Sequence, residues 1–282
     1  MSVLRAIMLG DVVGDPGLEI LERLLPPLIK EKFVDFVMAN GENAAAGFGL
    51  TQPHLERLFA AGVDVVSSGN HIWEKRDFWP VLDAEKRVLR PMNYAADSPG
   101  QVTVGRGWVK LEKPSSCGGP PVTWAVLNLQ GREFMSPLDC PFKAFDYFET
   151  TLDSEKALPE TMNDKPIILV DFHAESSREK EALAYYLDGR ASVVAGTHTH
   201  VQTADERILP NGTAYITDLG MCGTLDGIIG MDTKICIDRA RNQVLYRMEV
   251  AAPTEGGKIA IQGIIVEFDG ETRKALSVKR LA

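Results

Sequence analysis

The amino-acid sequence predicts an α/β fold, because short runs rich in β-branched residues alternate with helix-like stretches from the N terminus onward. The early predicted strands are continuous in apolar residues, as is typical of strands that are covered on both faces of a sheet. Hydrophobic residues make up 45% and charged residues 24% of the chain, which is the composition of an ordinary globular protein. We expect residues 1–282 to form a single domain.

The first part of the chain is predicted to hold three strands, each followed by a helix. The second helix has clear boundary signals, since Thr51 is a suitable N-cap and Pro53 lies in the first turn. In order, the predicted elements are strand 3–9, helix 16–32, strand 33–39, helix 52–61, strand 63–68 and a helix near residues 73–84.

The middle of the chain follows a different pattern, since residues 101–112 and 122–130 alternate in polarity like antiparallel strands. The Gly/Pro/Ser-rich stretch between them predicts an exposed hairpin tip at residues 113–121. The later predicted elements are a helix near residues 142–152, strand 167–172, helix 177–187 and strand 192–195. The tail is predicted to be mostly strand, at residues 214–217, 244–250, 259–268 and 275–281.

The formal charge of the chain is −9, from 30 Lys and Arg against 39 Asp and Glu. This balance argues against a broad nucleic-acid groove or an anionic membrane surface as partner, but it allows a small phosphate site. The N-terminal apolar run is too short for the core of a signal peptide, and no run approaches the ~18 residues of a membrane span. The four cysteines include no C-x-x-C pair, which is typical of reduced thiols. We therefore expect a cytoplasmic protein without membrane association.

Polar side chains follow five of the predicted strands, at the point where each strand ends. In open α/β sheets this edge is where ligands bind. Four of the five histidines of the chain lie in these clusters, and the fifth, His54, lies in a predicted helix. The clusters are Gly10-Asp11, Gly41-Glu42-Asn43, Gly69-Asn70-His71, Asp171-Phe172-His173 and Gly196-Thr197-His198-Thr199-His200.

These side chains predict a site for two metal ions. Imidazole nitrogens with carboxylate and amide oxygens suit Mn, Fe or Zn. Seven donors exceed the four of a closed zinc site, and they suit two ions about 3.5–4 Å apart that share a carboxylate and activate a water. Two such ions with two carboxylates and a hydroxide carry about +1, which favours phosphate esters. The predicted donors are Asp11, Glu42, Asn43, Asn70, His173, His198 and His200.

The motifs that carry these donors resemble those of the calcineurin-like metallophosphoesterases, and several others resemble the bacterial YmdB-like phosphodiesterases. The first group is Gly10-Asp11, residues 69–74 and residues 196–200; the second is residues 41–51, 131–135, 171–175 and 197–207. The resemblance runs from residue 5 to about residue 235. It implies a four-layer α/β/β/α sandwich, two iron or manganese ions, and activity on cyclic nucleotides and other phosphodiesters.

The chain departs from the wider superfamily at Val13, where that superfamily has a histidine two residues after the first aspartate. The narrower family suggests Asn43 as the substitute ligand. Leu18 stands where close relatives often carry a basic residue, and residues 112–122 look longer than the usual hairpin.

The donors divide into two predicted sets that share Glu42. Metal one is assigned Asp11, Glu42, Asn43 and His200, and metal two is assigned Glu42, Asn70, His173 and His198. His71 directly follows a predicted ligand, so we expect it to face the substrate, stabilise the charge at phosphorus and protonate the leaving alkoxide. Three further acidic residues either orient the ligand imidazoles or are merely solvated. They are Asp171, Glu175 and Asp205.

The expected activity is metal-dependent hydrolysis of small phosphodiesters, with 2',3'-cyclic nucleotides as the expected class. RNA ends as substrates and a homo-oligomer are both compatible with the sequence. The first alternative is a phosphomonoesterase or nucleotidase with the same metals, and the second is a non-enzymatic, metal-containing nucleotide sensor. An amidohydrolase is disfavoured, because its His-x-His pair belongs to the first strand, whereas here the pair follows residue 195.

Overall fold

Two β-sheets lie face to face in the structure, a computed structural model that describes residues 3–95, 103–116, 118–154 and 165–281. The strands are β1 Val3–Val12, β2 Phe36–Asn40, β3 Val65–Ser67, β4 Trp108–Lys113, β5 Val122–Gln130, β6 Ile167–His173, β7 Val193–Thr197, β8 Arg207–Ile208, β9 Ala214–Ile216, β10 Met221–Thr224, β11 Ile259–Ile261, β12 Gly263–Asp269 and β13 Ala275–Leu281. The helices are α1 Gly14–Lys32, α2 Gln52–Ala60, α3 Trp79–Ala84, α4 Pro141–Ser154, α5 Ser177–Tyr186 and α6 Thr233–Asn242.

The first sheet is built around β1. This strand pairs in parallel with β2 and β10 and antiparallel with β12, while β3 extends the sheet beyond β2. The order continues from β10 to β11 and from β12 to β13. Because β1, β2 and β3 are parallel, their carboxyl ends meet at one edge of this sheet.

The second sheet has the order β4-β5-β6-β7-β9-β8. Its strands β5, β6, β7 and β9 are parallel, and the edge strands β4 and β8 are antiparallel to their neighbours. The predicted hairpin between β4 and β5 is confirmed by the pairing of Lys113 with Val122. The carboxyl ends of β6 and β7 lie at one edge of this sheet, as those of β1 to β3 do in the first.

The core between the sheets consists of apolar side chains from both. Trp124 of β5 is fully buried there, stacks on Phe36 of β2 with ring centroids 4.8 Å apart, and makes an edge contact with Phe268 of β12. Leu18, Leu21 and Leu25 of α1 and Leu55 and Leu58 of α2 cover the outer face of the first sheet. Phe145 and Phe148 of α4 and Leu183 of α5 cover the outer face of the second. The predicted α/β/β/α sandwich is therefore confirmed.

The prediction for the tail was wrong in one part. Residues 233–242 form helix α6, whose N-cap Asp232 accepts a hydrogen bond from the amide of Ile235. Residues 244–249 form no strand, and Val250 makes only an isolated bridge to Met231. Helix α6 buries none of its residues completely and is half-buried at positions that include Ile235, Cys236 and Arg239.

Two further boundaries differ from the prediction. The stretch near residues 73–84 contains two short 3₁₀ turns, Asn70–Trp73 and Arg76–Phe78, before helix α3. The strand expected at residues 101–112 begins only at Trp108, and its first two residues lie outside the described residues. Cys140, Cys222 and Cys236 are free thiols, and Cys117 lies outside the described residues. In the ranges described above, no helix combines the length and apolar character that crossing a membrane requires.

We predict that Trp124→Ala lowers the free energy of unfolding by ~3–5 kcal/mol, because it leaves a cavity between the two sheets. Urea denaturation of wild type and variant measures this loss. Trp124→Phe is the matched control: it keeps an aromatic ring in contact with the core and removes an indole N–H that has no hydrogen-bond partner in the described structure. The phenylalanine variant should lose clearly less stability, and equal losses would contradict the packing described here.

Candidate metal centre

The predicted metal ligands come from the carboxyl ends of strands in both sheets. In the first sheet, Asp11 lies on β1, Glu42 and Asn43 follow β2, and Asn70 follows β3. In the second sheet, His173 is the last residue of β6, and the histidines at positions 198 and 200 follow β7. The face-to-face packing of the sheets brings these strand ends together, as the sequence predicts.

Three of the predicted donors converge on a fourth, the His173 imidazole. Its Nε2 lies 2.9 Å from Glu42 Oε1, 3.1 Å from Asn70 Oδ1 and 3.0 Å from His198 Nδ1. Ligand atoms of Glu42, His173 and His198 all lie within 4.8 Å of one another, so this group could hold a metal ion. These are the four side chains that the sequence assigns to metal two, and their metal binding stays a prediction.

The other predicted donors lie beside this group. His200 Nε2 and His173 Nδ1 are each 3.9 Å from Asp11 Oδ1. The amide nitrogen of the Asn43 side chain donates to the Gly47 carbonyl at 2.8 Å, which fixes the orientation of the amide. Asp11 Oδ1 and Asn43 Oδ1 are buried and have no hydrogen-bond partner in the described part of the chain. Buried acceptors without a donor are costly, and a cation at this position would satisfy both.

The electrostatic environment of the site is set by burial and by short distances between opposite charges. Burial raises the pKa of Asp11. Burial acts in the same direction on Glu42, but the adjacent His173 outweighs it and lowers the pKa of Glu42 to about 2. Burial lowers the pKa of His173, but the carboxylate of Glu42 outweighs this and raises it to about 9. Glu42 and His173 thus form a buried ion pair, and a metal ion that binds both must displace the imidazole proton.

A hydrogen-bonded chain orients His173 from behind. Asp171 Oδ1 accepts a hydrogen bond from Thr197 Oγ1 at 2.7 Å, and Thr197 Oγ1 lies 3.0 Å from His173 Nδ1. Because the Thr197 hydroxyl donates to Asp171, it must accept from the imidazole, which leaves Nε2 directed at the donor cluster. Asp171 Oδ2 accepts hydrogen bonds from Asn40 and Ser67. Asp171 therefore acts on the imidazole through a threonine that the sequence analysis did not identify.

The other two acidic candidates behave differently from each other. Glu175 Oε2 lies 3.2 Å from His198 Nε2, which fits an orienting role toward that imidazole. Asp205 instead accepts hydrogen bonds from Thr203 and Thr217, which favours neither of the two alternatives, since these partners are not ligand imidazoles and hold the carboxylate within the protein.

A buried ion pair holds the loop that carries the last two histidines. Lys180 Nζ lies 2.7 Å from Asp218 Oδ2, with both side chains 1% exposed. The same carboxylate oxygen accepts hydrogen bonds from the amide and the hydroxyl of Thr199. His198 and His200, on either side of Thr199, have φ values of 100° and 63°, which non-glycine residues rarely adopt. No sequence motif indicated this ion pair, because Lys180 lies in a helix far along the chain from Asp218.

Gly69 permits the close approach of β3 to His173. A Cβ atom at this position would lie 2.1 Å from His173 Cδ2, which is far inside van der Waals contact. Because β3 ends at Ser67, two residues before Gly69, a glycine here lets Asn70 reach the imidazole across the gap between the sheets.

His71 lies next to the donor cluster. Its backbone amide donates to Glu42 Oε2 at 2.8 Å, while its ring packs edge-on against Phe48 with centroids 4.9 Å apart. The side chain is 26% exposed and lines an open cavity of about 660 Å³. This position agrees with the prediction that His71 faces a substrate, and the role itself remains untested. The cavity is lined by Glu42, Asn43, Phe48, His71, Glu175, His198, Thr199, His200, Ile228, Ile229, Met231, Cys236, Arg239 and Met248.

Comparison with known proteins identifies the family. The model of a family described as "YmdB-like protein" matches residues 7–281. The chain belongs to the YmdB-like family. A Bacillus subtilis (strain 168) relative named "2',3'-cyclic-nucleotide 2'-phosphodiesterase" is 41% identical over 278 residues, which are 99% of this chain and 96% of the relative. A Mycoplasma pneumoniae relative named "Putative phosphatase/phosphodiesterase" is 32% identical over all of this chain and 93% of its own length.

Two solved structures resemble this YmdB-like protein over almost its whole length. A hypothetical protein from Thermus thermophilus has a TM-score of 0.83 and 38% identity, and the match covers 98% of each chain. A phosphatase from Mycoplasma pneumoniae has a TM-score of 0.86 and 30% identity, and the match covers 100% of this chain and 93% of the other. These similarities support the sandwich architecture described above.

We predict that Thr197→Val weakens metal binding about 10–100-fold, the usual cost of losing a group that orients a ligand. The valine removes the hydroxyl that links Asp171 to His173 and keeps the volume of the side chain. Titration of the protein with Mn²⁺ in competition with a chelator measures the affinity.

Thr213→Val is the matched control for this variant. Thr213 is also fully buried, and its hydroxyl donates to the Ala191 carbonyl at 2.6 Å. This control should lose stability without losing metal affinity. Unchanged affinity in Thr197→Val would show that Asp171 does not orient His173.

Proposed function

We propose that this YmdB-like protein is a metal-dependent phosphodiesterase that hydrolyses 2',3'-cyclic nucleotides. The observation that supports it most is the convergence of Glu42, Asn70, His173 and His198 at the edge where the two sheets meet. The proposal is also supported by the 41% identity to a relative named for this activity, since the match covers 99% of this chain. We further propose that residues 1–282 act as one domain.

The proposed metal site uses the residues that the sequence assigned. Asp11, Glu42, Asn43 and His200 would hold one ion, and Glu42 with Asn70, His173 and His198 would hold the other. The mixture of carboxylate, amide and imidazole donors favours Fe or Mn, with Zn as the alternative. When bound, the two ions polarise the phosphoryl group and supply an activated water as nucleophile. The unpartnered buried oxygens of Asp11 and Asn43 support this assignment.

Side chains of the protein carry out the remaining steps of the proposed reaction. The His71 ring faces the cavity while its backbone amide fixes Glu42, so the ring lies beside the proposed phosphate position. From there an imidazolium can stabilise charge on a phosphoryl oxygen and donate a proton to the departing alkoxide. The Glu175 carboxylate keeps His198 oriented during these steps.

A phosphomonoesterase that uses the same site is the second candidate. The Mycoplasma relative carries a name that includes both activities, and the donor set serves either substrate class. A sensor without activity is disfavoured, because the structure brings the predicted donors together rather than leaving one of them remote.

We predict that the metal-reconstituted protein hydrolyses 2',3'-cyclic AMP and bis-p-nitrophenyl phosphate in preference to p-nitrophenyl phosphate. Glu42→Gln removes the charge that both ions would share, so turnover of both diesters should fall by at least about 10²-fold. Steady-state kinetics and elemental analysis of the same samples measure turnover and metal content.

The matched control is Glu56→Gln, since Glu56 is exposed on α2 and bonds only to a neighbouring glutamine in the described structure. This control should behave as wild type. Preference for the monoester would support the second candidate, and normal turnover by Glu42→Gln would refute the assignment of Glu42 as the shared ligand.

We predict that His71→Ala keeps both metal ions but loses far more activity on 2',3'-cyclic AMP than on bis-p-nitrophenyl phosphate. The alkoxide that leaves the cyclic nucleotide has a high pKa and needs a proton, whereas p-nitrophenolate scarcely does. Kinetics on the two diesters and metal analysis test this. Equal losses would assign His71 to stabilisation of the phosphoryl oxygen, and loss of metal would make His71 a ligand.

A further inference from the structure

The wall of the cavity beside His200 contains an unusual tight turn. Ile228 and Met231 exchange backbone hydrogen bonds of 2.9 and 3.0 Å across the two residues between them. Those residues, Ile229 and Gly230, have φ values of 51° and 81°, the sign pattern of a type I′ turn. Asn, Asp or Gly is preferred at the first of these positions, because a β-branched residue with positive φ is strained.

Ile229 contacts both the metal site and the cavity. Its carbonyl oxygen lies 2.9 Å from His200 Nδ1 and can only accept, so the imidazole carries its hydrogen on Nδ1 and directs Nε2 toward Asp11. Its side chain is partly exposed and lines the cavity. The carbonyl contact would be kept by any residue at this position. The contact with His200 therefore does not explain an isoleucine at this strained position, and strain of this kind is characteristic of functional sites.

Four further side chains complete this wall. Phe48, Met231 and Met248 are apolar and belong to one small cluster, which also includes Val13. Arg239 of α6 adds a guanidinium group, whose Nη1 donates to the Tyr246 carbonyl at 3.0 Å. It is the one Lys or Arg that the described part of the chain contributes to the cavity.

We propose that this wall, which we call the base wall (Phe48, Ile229, Met231, Arg239 and Met248), binds the nucleobase of the substrate. The inference rests on the proposed function and extends it to how a nucleotide is told from other phosphodiesters. A cavity of about 660 Å³ leaves ample room beyond the phosphate at the metal donors. Apolar side chains with a single guanidinium suit a flat heterocycle, which has a face for stacking and edge atoms that accept hydrogen bonds.

The shape of the cavity supports one continuous site. Glu42, His198 and His200 line the same cavity as the base wall, and Ile229 joins the two groups through its contact with His200. His71 and Phe48, which also line this cavity, touch each other. A nucleotide whose phosphate lies at the donors would therefore reach the base wall with its nucleoside part.

The test compares a nucleotide with the same diester without its base. The substrates are 2',3'-cyclic AMP and the 2,3-cyclic phosphate of methyl riboside, assayed with metal-reconstituted enzyme. Arg239→Met should raise KM for cyclic AMP about tenfold, which is about 1.4 kcal/mol of binding free energy. The KM of the base-free compound should change far less, and kcat for both should change little.

Ile229→Gly provides a second, independent variant. Glycine relieves the strain of positive φ and keeps the carbonyl that orients His200. The thermal midpoint and metal content should therefore be at least those of wild type, while KM for cyclic AMP rises.

The matched control for Arg239→Met is Arg241→Met, since Arg241 is exposed on the same helix, α6, and does not line the cavity. It should leave both substrates unaffected.

The outcomes separate the base wall from the proposed function. The assignment of the base wall would be overturned if KM rose equally for both substrates, or if neither variant raised KM for cyclic AMP. A dinucleotide that ends in a 2',3'-cyclic phosphate serves as a third substrate. If Arg239→Met raises KM only for this compound, Arg239 contacts its second phosphate, and this result would also overturn the base wall. If wild type hydrolyses neither compound, the proposed function fails, and calorimetric titration of the same two compounds then decides the base wall. In that case Arg239→Met must still weaken binding of cyclic AMP relative to the base-free compound.

Discussion

The contact between Glu42 and His173 is the interaction on which the site depends. The carboxylate follows a strand of the first sheet, and the imidazole ends a strand of the second, yet their atoms lie 2.9 Å apart with both side chains buried. Buried charges of this kind are costly unless they are paired. The two sheets must therefore pack in one relative position, since a small shift would leave either charge alone in a nonpolar environment.

The core beneath the site fixes that relative position. Phe36 and Trp124 stack across the gap between the sheets, and they lie on strands β2 and β5 that pair with β1 and β6. Close packing resists displacement, because an interior at this density has few voids into which side chains could move. The same rigidity maintains the positive φ values of His198 and His200, which would be unfavourable in an isolated loop.

The sequence was sufficient to predict which polar side chains lie together, because their positions follow from a local rule. Asp11, Glu42, Asn70 and His173 each lie at or just after a short apolar run, and parallel strands bring such positions to one edge. The groups that orient the donors follow no local rule. Thr197 links Asp171 to His173, but it resembles any other strand threonine in the sequence. Its contacts depend on the register in which β6 pairs with β7, so they require the tertiary structure.

The segment around helix α6 shows why the sequence-based prediction failed for one part of the chain. Helix α6 buries none of its residues completely, and the β-branched and aromatic residues after it imitate a strand. The chain keeps this segment folded by caps and turns rather than by burial, as the hydrogen bond from Ile235 to Asp232 shows.

Ile229 connects the segment that carries helix α6 with the donor cluster. Its carbonyl accepts from the His200 imidazole, and its side chain lines the cavity, so a single strained turn connects the donor cluster with the cavity surface. The donor cluster lies at the junction of two sheets, where close packing fixes its geometry. The turn precedes helix α6, which buries no residue completely, and segments outside the core tolerate sequence change more readily. The hydrogen bond at Ile229 limits this freedom, because the turn can change its side chains but not the position of its carbonyl.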